Sequence, residues 1–515
     1  MVLSQPSPAL PLVFSAVALA VLVVLAVLVV LHFKDSREHE PIGLSIAAIV
    51  IIPVDVYLVS FTTDASTGLK HNWATPDYLA VTSTALRYTY FGIYAATAFC
   101  IFVAVPFSYF YFEEFDDSDA AWKKRVASAC KYTGFTILII TTLMVAGMVV
   151  QETSVPSSPA PWFDRMLSKN GFEKSIRFVF ATMIIFGMCI YTTYTAVGLF
   201  SMCKDLAKGK PAPVAENREV ILQRRLLEGK IAALLSRNGG SEARMSRRDR
   251  AKLQELQQSL RQFSEPDPST LTPPTHFGML LEAIKPFKAA IGIVAIPVTI
   301  LTLVSVGLTN TDRMLFSVCG RKCGFMIDTP TLFNPMDFLL LESSKLFPLD
   351  FAILLLVVLI LFVATLYGIS KLGIRFLWIH LCDLRPQRSL PQGLLLTGVM
   401  GSLVVLALGY TMMNVAPQYT TFGNQAYCSL IVNGTAMCTG DNASPILPCS
   451  FSANEAICSP TVFSTILDQI LYNTPLFGTT YFVGQWVFLV VFMLAGVIAK
   501  WIGRLSGDED RTEST

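Results

Sequence analysis

Charged residues are scarce in this sequence. They make up 15% of its 515 residues, while hydrophobic residues make up 53%. A soluble domain carries about 25% charged residues. The net charge of +2 gives no argument for nucleic acid as a partner, and we expect none. The composition excludes an ordinary soluble domain and indicates an integral membrane protein, surrounded by membrane lipid.

Catalytic and metal-binding patterns are also missing. No Gly-rich phosphate loop, HExxH motif or GxSxG motif occurs. The five histidines are scattered along the chain, and none pairs with another at metal-ligand spacing. We therefore expect a protein that is not an enzyme, has no metal site and binds no cofactor covalently.

Long apolar runs are what the sequence does contain. A helix that crosses a bilayer needs about 20 mostly apolar residues. The runs predict an all-α polytopic bundle of about nine spans. The first run is too long for the apolar core of a signal peptide, and we interpret it as a retained anchor. The predicted spans are 11–33, 42–63, 88–112, 130–150, 176–200, 288–308, 348–369, 393–414 and 479–502.

The loop 415–478 sets the predicted orientation. It contains no Lys or Arg, two N-glycosylation sequons at Asn433 and Asn442, and four cysteines. Basic residues are enriched in cytosolic loops, whereas sequons and disulfides belong to the opposite side. We therefore predict a glycosylated lumenal loop, a lumenal N-terminus and a cytosolic C-terminus. The alternative is that the sequons arose by chance and the thiols are free.

Six cysteines lie in loops that this orientation makes lumenal, and all six are disulfide candidates. Four cysteines in one loop allow three pairings, so the connectivity stays open. The CxxxC spacing of the first two favours a local disulfide, or bonds to the larger loop, over a metal or redox site. The six are Cys319, Cys323, Cys428, Cys438, Cys449 and Cys458.

Two further segments have helical patterns. Apolar periodicity over 218–237 and 246–263, interrupted by NGGS, predicts a cytosolic helical hairpin. It is either a docking arm for a cytosolic partner or a hairpin that packs on its own membrane domain or on a second copy in a homodimer. For 372–384 we predict an interfacial helix, with an extension of the preceding span as the alternative.

The spans and loops divide the chain into five parts. They are spans one to five (1–200), the cytosolic loop with its hairpin (201–287), spans six to eight (288–414), the lumenal loop (415–478), and the last span with a short cytosolic tail (479–515).

A Pro-x-Asp motif occurs twice in apolar surroundings, as Pro53 with Asp55 and as Pro348 with Asp350. Proline bends a helix, and an acid in hydrocarbon costs several kcal/mol. Under the predicted orientation both acids lie in the lumenal half of the membrane and face the bundle interior. They form either a ligand or proton site shared by two spans, or a structural polar cluster that fixes the bundle.

Six stretches of the sequence resemble a known family in their order and spacing. Together they are similar to the limb-region family of polytopic membrane proteins, and most closely to its branch associated with lysosomal cobalamin. The resemblance covers residues 42–490. The stretches are IIPVDVYLVSF, VPFSYFYFEEFDD, LFPLDFAILLLVVL, GIRFLWIHL, APQYTTFGNQ and YFVGQWVFL.

This resemblance implies a function as well as a fold. It implies a lysosomal membrane protein that assists export of its cargo, cobalamin, to the cytosol. Its partners would be an ABC transporter of the D subfamily and soluble cobalamin-processing proteins. Two alternatives stay open: an endocytic receptor or regulator of the lipocalin-receptor type, at the plasma membrane or another endomembrane, and a solute transporter in its own right.

Overall fold

The structure, a computed structural model, is mostly helical, as the sequence predicts. It describes residues 42–64, 68–113, 122–149, 171–207, 231, 288–318, 320–327, 329–346, 348–376, 379–382, 391–428, 431–432, 435–436, 446–451, 453, 458–472 and 475–512.

Thirteen α-helices are numbered here in chain order within the described residues. They are α1 Ile42–Ser60, α2 Pro76–Phe99, α3 Val105–Glu113, α4 Trp122–Val149, α5 Gly171–Ile190, α6 Ala196–Ala207, α7 Lys288–Phe316, α8 Pro335–Ser343, α9 Leu349–Leu372, α10 Pro391–Val415, α11 Pro417–Phe422, α12 Val462–Tyr472 and α13 Pro475–Thr512. A π-helical turn, Cys100–Ala104, joins α2 to α3, and another, Tyr191–Thr195, joins α5 to α6.

Seven spans of the described residues are long and apolar enough to cross a membrane. They are Pro76–Tyr111, Val126–Ala146, Ser175–Leu206, Gly292–Phe316, Leu349–Leu372, Leu395–Val415 and Leu476–Val497. Each overlaps one of the predicted spans. Helix α1, of 19 residues, occupies the second predicted span, and the first predicted span, 11–33, lies outside the described residues.

Helix α2 begins well before the predicted span 88–112. Its start follows capping chemistry, because the Thr75 side chain accepts a hydrogen bond from the Tyr78 amide at 3.3 Å and Pro76 occupies the first turn. Hydropathy alone does not detect this signal, since the first turns of the helix are rich in polar residues.

Helix α10 lies at the centre of the bundle and packs against α1, α3, α5 and α9. Close helix approach elsewhere depends on glycine. A Cβ added to Gly198 would lie 1.9 Å from the Ala364 carbonyl oxygen, and one added to Gly368 would lie 2.0 Å from the Tyr194 carbonyl oxygen. The crossing of α6 with α9 therefore needs small residues, as is common in membrane bundles.

The prediction of an interfacial helix over 372–384 is wrong. A β-hairpin of Ile374–Phe376 (β3) and Ile379–Cys382 (β4) stands there instead. Helix α9 ends because Gly373 takes a positive φ of 67°. The backbone N–H of Arg375 then donates to the Tyr194 hydroxyl at 3.1 Å, and the segment that follows is rich in residues with high strand propensity.

Short two-stranded sheets complete the described fold. Thr63–Asp64 (β1) pairs with Leu69–Lys70 (β2) after α1. In the loop between α10 and α13, Ala426–Cys428 (β5) pairs with Ile446–Pro448 (β8), and Ile431–Val432 (β6) pairs with Thr435–Ala436 (β7).

The chain divides into two compact units, Met1–Cys203 with Val294–Thr515, and Lys204–Ile293. In the second unit the structure describes the end of α6, the start of α7 and residue 231. The predicted cytosolic hairpin lies outside the described residues.

Candidate functional site

The first Pro-x-Asp motif lies within a helix. Pro53 is inside α1, and the side chain of Asp55 is fully buried. Tyr90, on α2, donates a hydrogen bond to the Ile51 carbonyl at 3.3 Å, and its hydroxyl also interacts with the Asp55 carboxylate. The Tyr90 hydroxyl, on the neighbouring helix, therefore contacts both the backbone and the acid near Pro53.

The Asp55 carboxylate caps a second helix. It accepts hydrogen bonds from the backbone N–H groups of Phe463 at 2.7 Å and Val462 at 3.4 Å. These are the first two residues of α12, whose third amide, that of Ser464, donates to the Thr461 hydroxyl at 3.2 Å. Since the N-terminus of a helix carries unsatisfied donors and a partial positive charge, this acid stabilises the start of α12.

The second motif has a different geometry. Pro348 precedes α9 and is exposed, so it does not bend a span as the sequence suggested. Asp350 lies in the first turn of α9 and is buried. One carboxylate oxygen accepts a hydrogen bond of 2.7 Å from the Tyr419 hydroxyl, and the other has no hydrogen-bond partner among the described residues.

Two further buried aspartates belong to this region, and neither was predicted from the sequence. Asp337, on α8, accepts hydrogen bonds from the backbone N–H groups of Tyr419 at 2.8 Å and Gln418 at 3.2 Å, at the start of α11. Asp468, on α12, interacts electrostatically with Arg313 of α7, and Arg313 donates to the Tyr410 hydroxyl at 3.0 Å.

Burial shifts the acidity of the two aspartates that lie outside the spans. It raises the pKa of Asp337 from 3.8 to about 7, although hydrogen bonds from two backbone amides act in the opposite direction. Burial also raises the pKa of Asp468 to about 7, against the attraction of Arg313. Loss of hydration is the larger effect at both sites.

The short helices α11 and α12 connect these acids. The Thr461 amide donates to the Thr421 carbonyl at 2.8 Å, and the Thr461 hydroxyl donates to the Thr420 carbonyl at 2.9 Å. Asp55 therefore contacts one of two helices that are joined by hydrogen bonds, while Asp350 contacts the other.

The chain before α12 is fixed by an amide clamp and a disulfide. The Gln425 side chain donates to the Ser459 carbonyl at 2.7 Å and accepts from the Ser459 amide at 3.1 Å. Cys449 is bonded to Cys458, with their Cα atoms 5.5 Å apart, and Cys428 is also disulfide-bonded.

The remaining predicted site residues fall outside what the structure describes. Those residues are Cys319, Cys438, Asn433 and Asn442, together with the side chain of Cys323. Among the described residues, no three His, Cys, Asp or Glu side chains come together as metal ligands.

Where the structure describes the chain, two cavities lie near this region. One, of about 40 Å³, is lined in part by Arg313, Gln418 and Asp468. The other, of about 190 Å³, lies between α1 and α2. Both are below the ~300–1,000 Å³ that is usual for a small-molecule site, so neither is a pocket for a large cargo.

The fold and this buried polar region define a polytopic helical membrane protein. Residues 12–273 match the family described as "LMBR1-like membrane protein". The chain belongs to this family, which confirms the family resemblance seen in the sequence.

Curated relatives extend the similarity to almost the whole chain. A protein of Ajellomyces capsulatus is 32% identical over 88% of this chain and 81% of its own length. One from Emericella nidulans is 32% identical over 93% of this chain and 88% of its own. One from Neurospora crassa is 30% identical over 94% of this chain and 86% of its own length.

All three relatives carry the name "Probable lysosomal cobalamin transporter". A transporter's name agrees with the expectation that this chain is not an enzyme. No solved structure matches the chain.

Proposed function

We propose that this chain is a multi-pass lysosomal membrane protein that supports export of cobalamin from the lysosome to the cytosol. The observation that carries the proposal is its similarity to the fungal relatives over 88–94% of its length. Such coverage extends over most of the chain, so the similarity is not confined to one domain.

We further propose an accessory, or escort, role beside an ABC transporter of the D subfamily, with soluble cobalamin-processing proteins as cytosolic recipients. The geometry of the acids supports this role. Asp55 and Asp337 are engaged by backbone amides at helix starts, which is a structural use of a carboxylate. The two cavities near them are too small for a corrinoid.

The test is complementation of cells that lack their own relative of this protein. Expression of this chain should move labelled cobalamin from the lysosomal fraction to the cytosolic fraction. The same transfer should fail when the D-subfamily transporter is also absent. Continued lysosomal retention after expression at the lysosome would contradict the cobalamin role. Transfer without the ABC transporter would contradict the escort role.

Solute transport by the chain itself is the second candidate, because some buried polar groups lack partners. Within the described part of the chain, one Asp350 oxygen has no hydrogen-bond partner, and neither do the side-chain polar atoms of the fully buried Asn310 and Asn414. A bound water or ion is one way in which buried amides of this kind are satisfied. Uptake of labelled cobalamin by liposomes that contain only the purified protein would favour this candidate.

A further inference from the structure

A groove of about 190 Å³ runs between the last turn of α1 and the first three turns of α2. On α2 its wall is formed by Leu79, Thr82, Ser83 and Leu86. Their spacing places these side chains on one helix face. Leu58, at the end of α1, forms part of the opposite wall. The groove is mostly apolar along its length.

One end of the groove is aromatic. Phe61, Trp73 and Tyr78 all line it, and the Trp73 ring lies 5.8 Å from that of Phe61 and 5.5 Å from that of Tyr78. His71 stacks on Trp73 at 6.0 Å. Trp and Tyr rings with one polar edge are typical of the bilayer interface, so we expect this end of the groove at the level of lipid headgroups.

The positively charged side chain of Lys70 lies beside the groove. The Lys70 ammonium donates to the Ser459 hydroxyl at 3.3 Å, and Ser459 lines the groove. Burial lowers the pKa of Lys70, and no described carboxylate forms an ion pair with it. Asp77, the acid in the first turn of α2, is exposed. An ammonium has three donors, and the hydroxyl of Ser459 satisfies one of them.

We propose that this groove holds one acyl chain of an anionic membrane phospholipid, with its phosphate at Lys70. The apolar groove, its aromatic end and a nearby ammonium that forms no ion pair with a described carboxylate match the order of acyl chain, interface and charged headgroup in such a lipid. The volume suits part of one chain, while the rest of the lipid stays in the bilayer. This site is independent of the proposed function.

The test uses the full-length protein in nanodiscs that contain a phospholipid with a photoreactive acyl chain. Phosphatidylserine and phosphatidylcholine versions are compared, and labelled peptides are mapped by mass spectrometry. We expect labelling of the peptides around Trp73 and Leu79. The serine lipid should label about fivefold more than the choline lipid, the factor associated with one lysine near an anionic surface.

Matched variants separate the groove from general lipid contact. Ser83 lines the groove and is exposed, so Ser83→Trp fills the groove without disturbing the core, whereas Thr84 is exposed and does not line it. Ser83→Trp should abolish labelling and Thr84→Trp should preserve it. Lys70→Gln should remove the preference for the anionic lipid and Lys70→Arg should keep it. Lys345→Gln, at an exposed lysine, should change nothing.

Other occupants give different results. Labelling that survives Ser83→Trp, or equal labelling by the two lipids, would overturn the proposal. A disulfide between Thr82→Cys and a cysteine introduced into residues 11–33 would show that the first predicted span covers the groove. A disulfide between two copies of Thr82→Cys would show that a second copy covers it.

Discussion

The carboxylate of Asp55 accepts a hydrogen bond of 2.7 Å from the backbone N–H of Phe463, a residue 408 positions later in the chain. This contact joins α1 to the start of α12 and explains how an acid is accommodated in an apolar helix. The contact stabilises the fold because it gives an acceptor to backbone N–H groups at the start of α12, and no other partner is described for them at that position.

Replacement of Asp55 tests this structural role. Asp55→Leu should destabilise the protein by several kcal/mol, because two buried amides lose their acceptor at about 1–3 kcal/mol each. Asp55→Asn retains one acceptor and should fold, reach its membrane and function nearly normally. Thermal unfolding of the purified protein in detergent measures the first effect, and fractionation with a transport assay measures the second.

Two results would contradict that interpretation. Normal stability of Asp55→Leu would show that the contact is unimportant. A correctly located but inactive Asp55→Asn would indicate that the charge itself takes part in function. The Asp350 carboxylate accepts a hydrogen bond from the Tyr419 hydroxyl, whereas Asp55 accepts from backbone amides at a helix start. The same substitutions at Asp350 show whether the two copies of the motif share a role.

The crossing of α6 and α9 provides a second prediction. Gly198→Ala and Gly368→Ala should each destabilise the protein, since the added methyl group would overlap a backbone carbonyl that cannot move away freely. Gly92→Ala and Gly134→Ala are matched controls on helices where a Cβ meets no atom within 4 Å. These controls should be neutral or stabilising by up to about 1 kcal/mol, as measured by the melting temperature.

Much of the fold could be predicted from the sequence because apolar length is a local property. The spans α9 and α10 match their predicted ranges within a few residues. The start of α2 and the hairpin after Gly373 could not be predicted from hydropathy, because capping and a positive φ decide them. Both signals, Thr-Pro before α2 and Gly373 after α9, are visible in the sequence.

The candidate site was predictable in part. Pro-x-Asp singled out Asp55 and Asp350, since an acid in an apolar run is conspicuous. Asp337 and Asp468 lie on short helices outside the spans, where an aspartate is unremarkable and only tertiary contact buries it. The sequence offered one hint for Asp337, the Asn-Pro pair before it that starts α8. Nothing local indicated Asp468.

The disulfide before α12 yields a third prediction. Cys449→Ser with Cys458→Ser should destabilise the protein by about 2–4 kcal/mol and loosen the start of α12. Cys130→Ser is the control, since Cys130 is exposed and free. Alkylation without reduction should leave Cys428, Cys438, Cys449 and Cys458 unmodified. Labelling of all four in opened vesicles would contradict the predicted oxidised loop.

Glycosylation tests the predicted orientation. Asn433 and Asn442 stand in a loop without Lys or Arg, and we expect at least one of them to carry a glycan. Endoglycosidase should increase the mobility of the wild-type protein on a gel, and Asn433→Gln with Asn442→Gln should abolish that change. A wild-type protein that shows no shift in a glycosylating host would argue for the opposite orientation.

The pH dependence of stability is the last prediction. Burial raises the pKa of Asp337 in the folded protein from 3.8 to about 7, so between these values the folded state binds a proton that the unfolded state releases. The stability that this proton contributes is fully present below the unfolded pKa and is lost as the pH rises through about 7. Asp468, with its pKa raised in the same direction, adds to the effect.

The protein should therefore unfold at a higher temperature near pH 5 than near pH 7.5, with each pKa unit worth about 1.4 kcal/mol. Asp337→Asn should reduce this difference, because an amide does not titrate, while its oxygen still accepts a hydrogen bond from the start of α11. Asp77→Asn, at an exposed aspartate, should leave the difference intact. An unchanged pH dependence in Asp337→Asn would show that this carboxyl group is not its source. Greater stability near pH 7.5 in the wild-type protein would reverse the sign that burial requires.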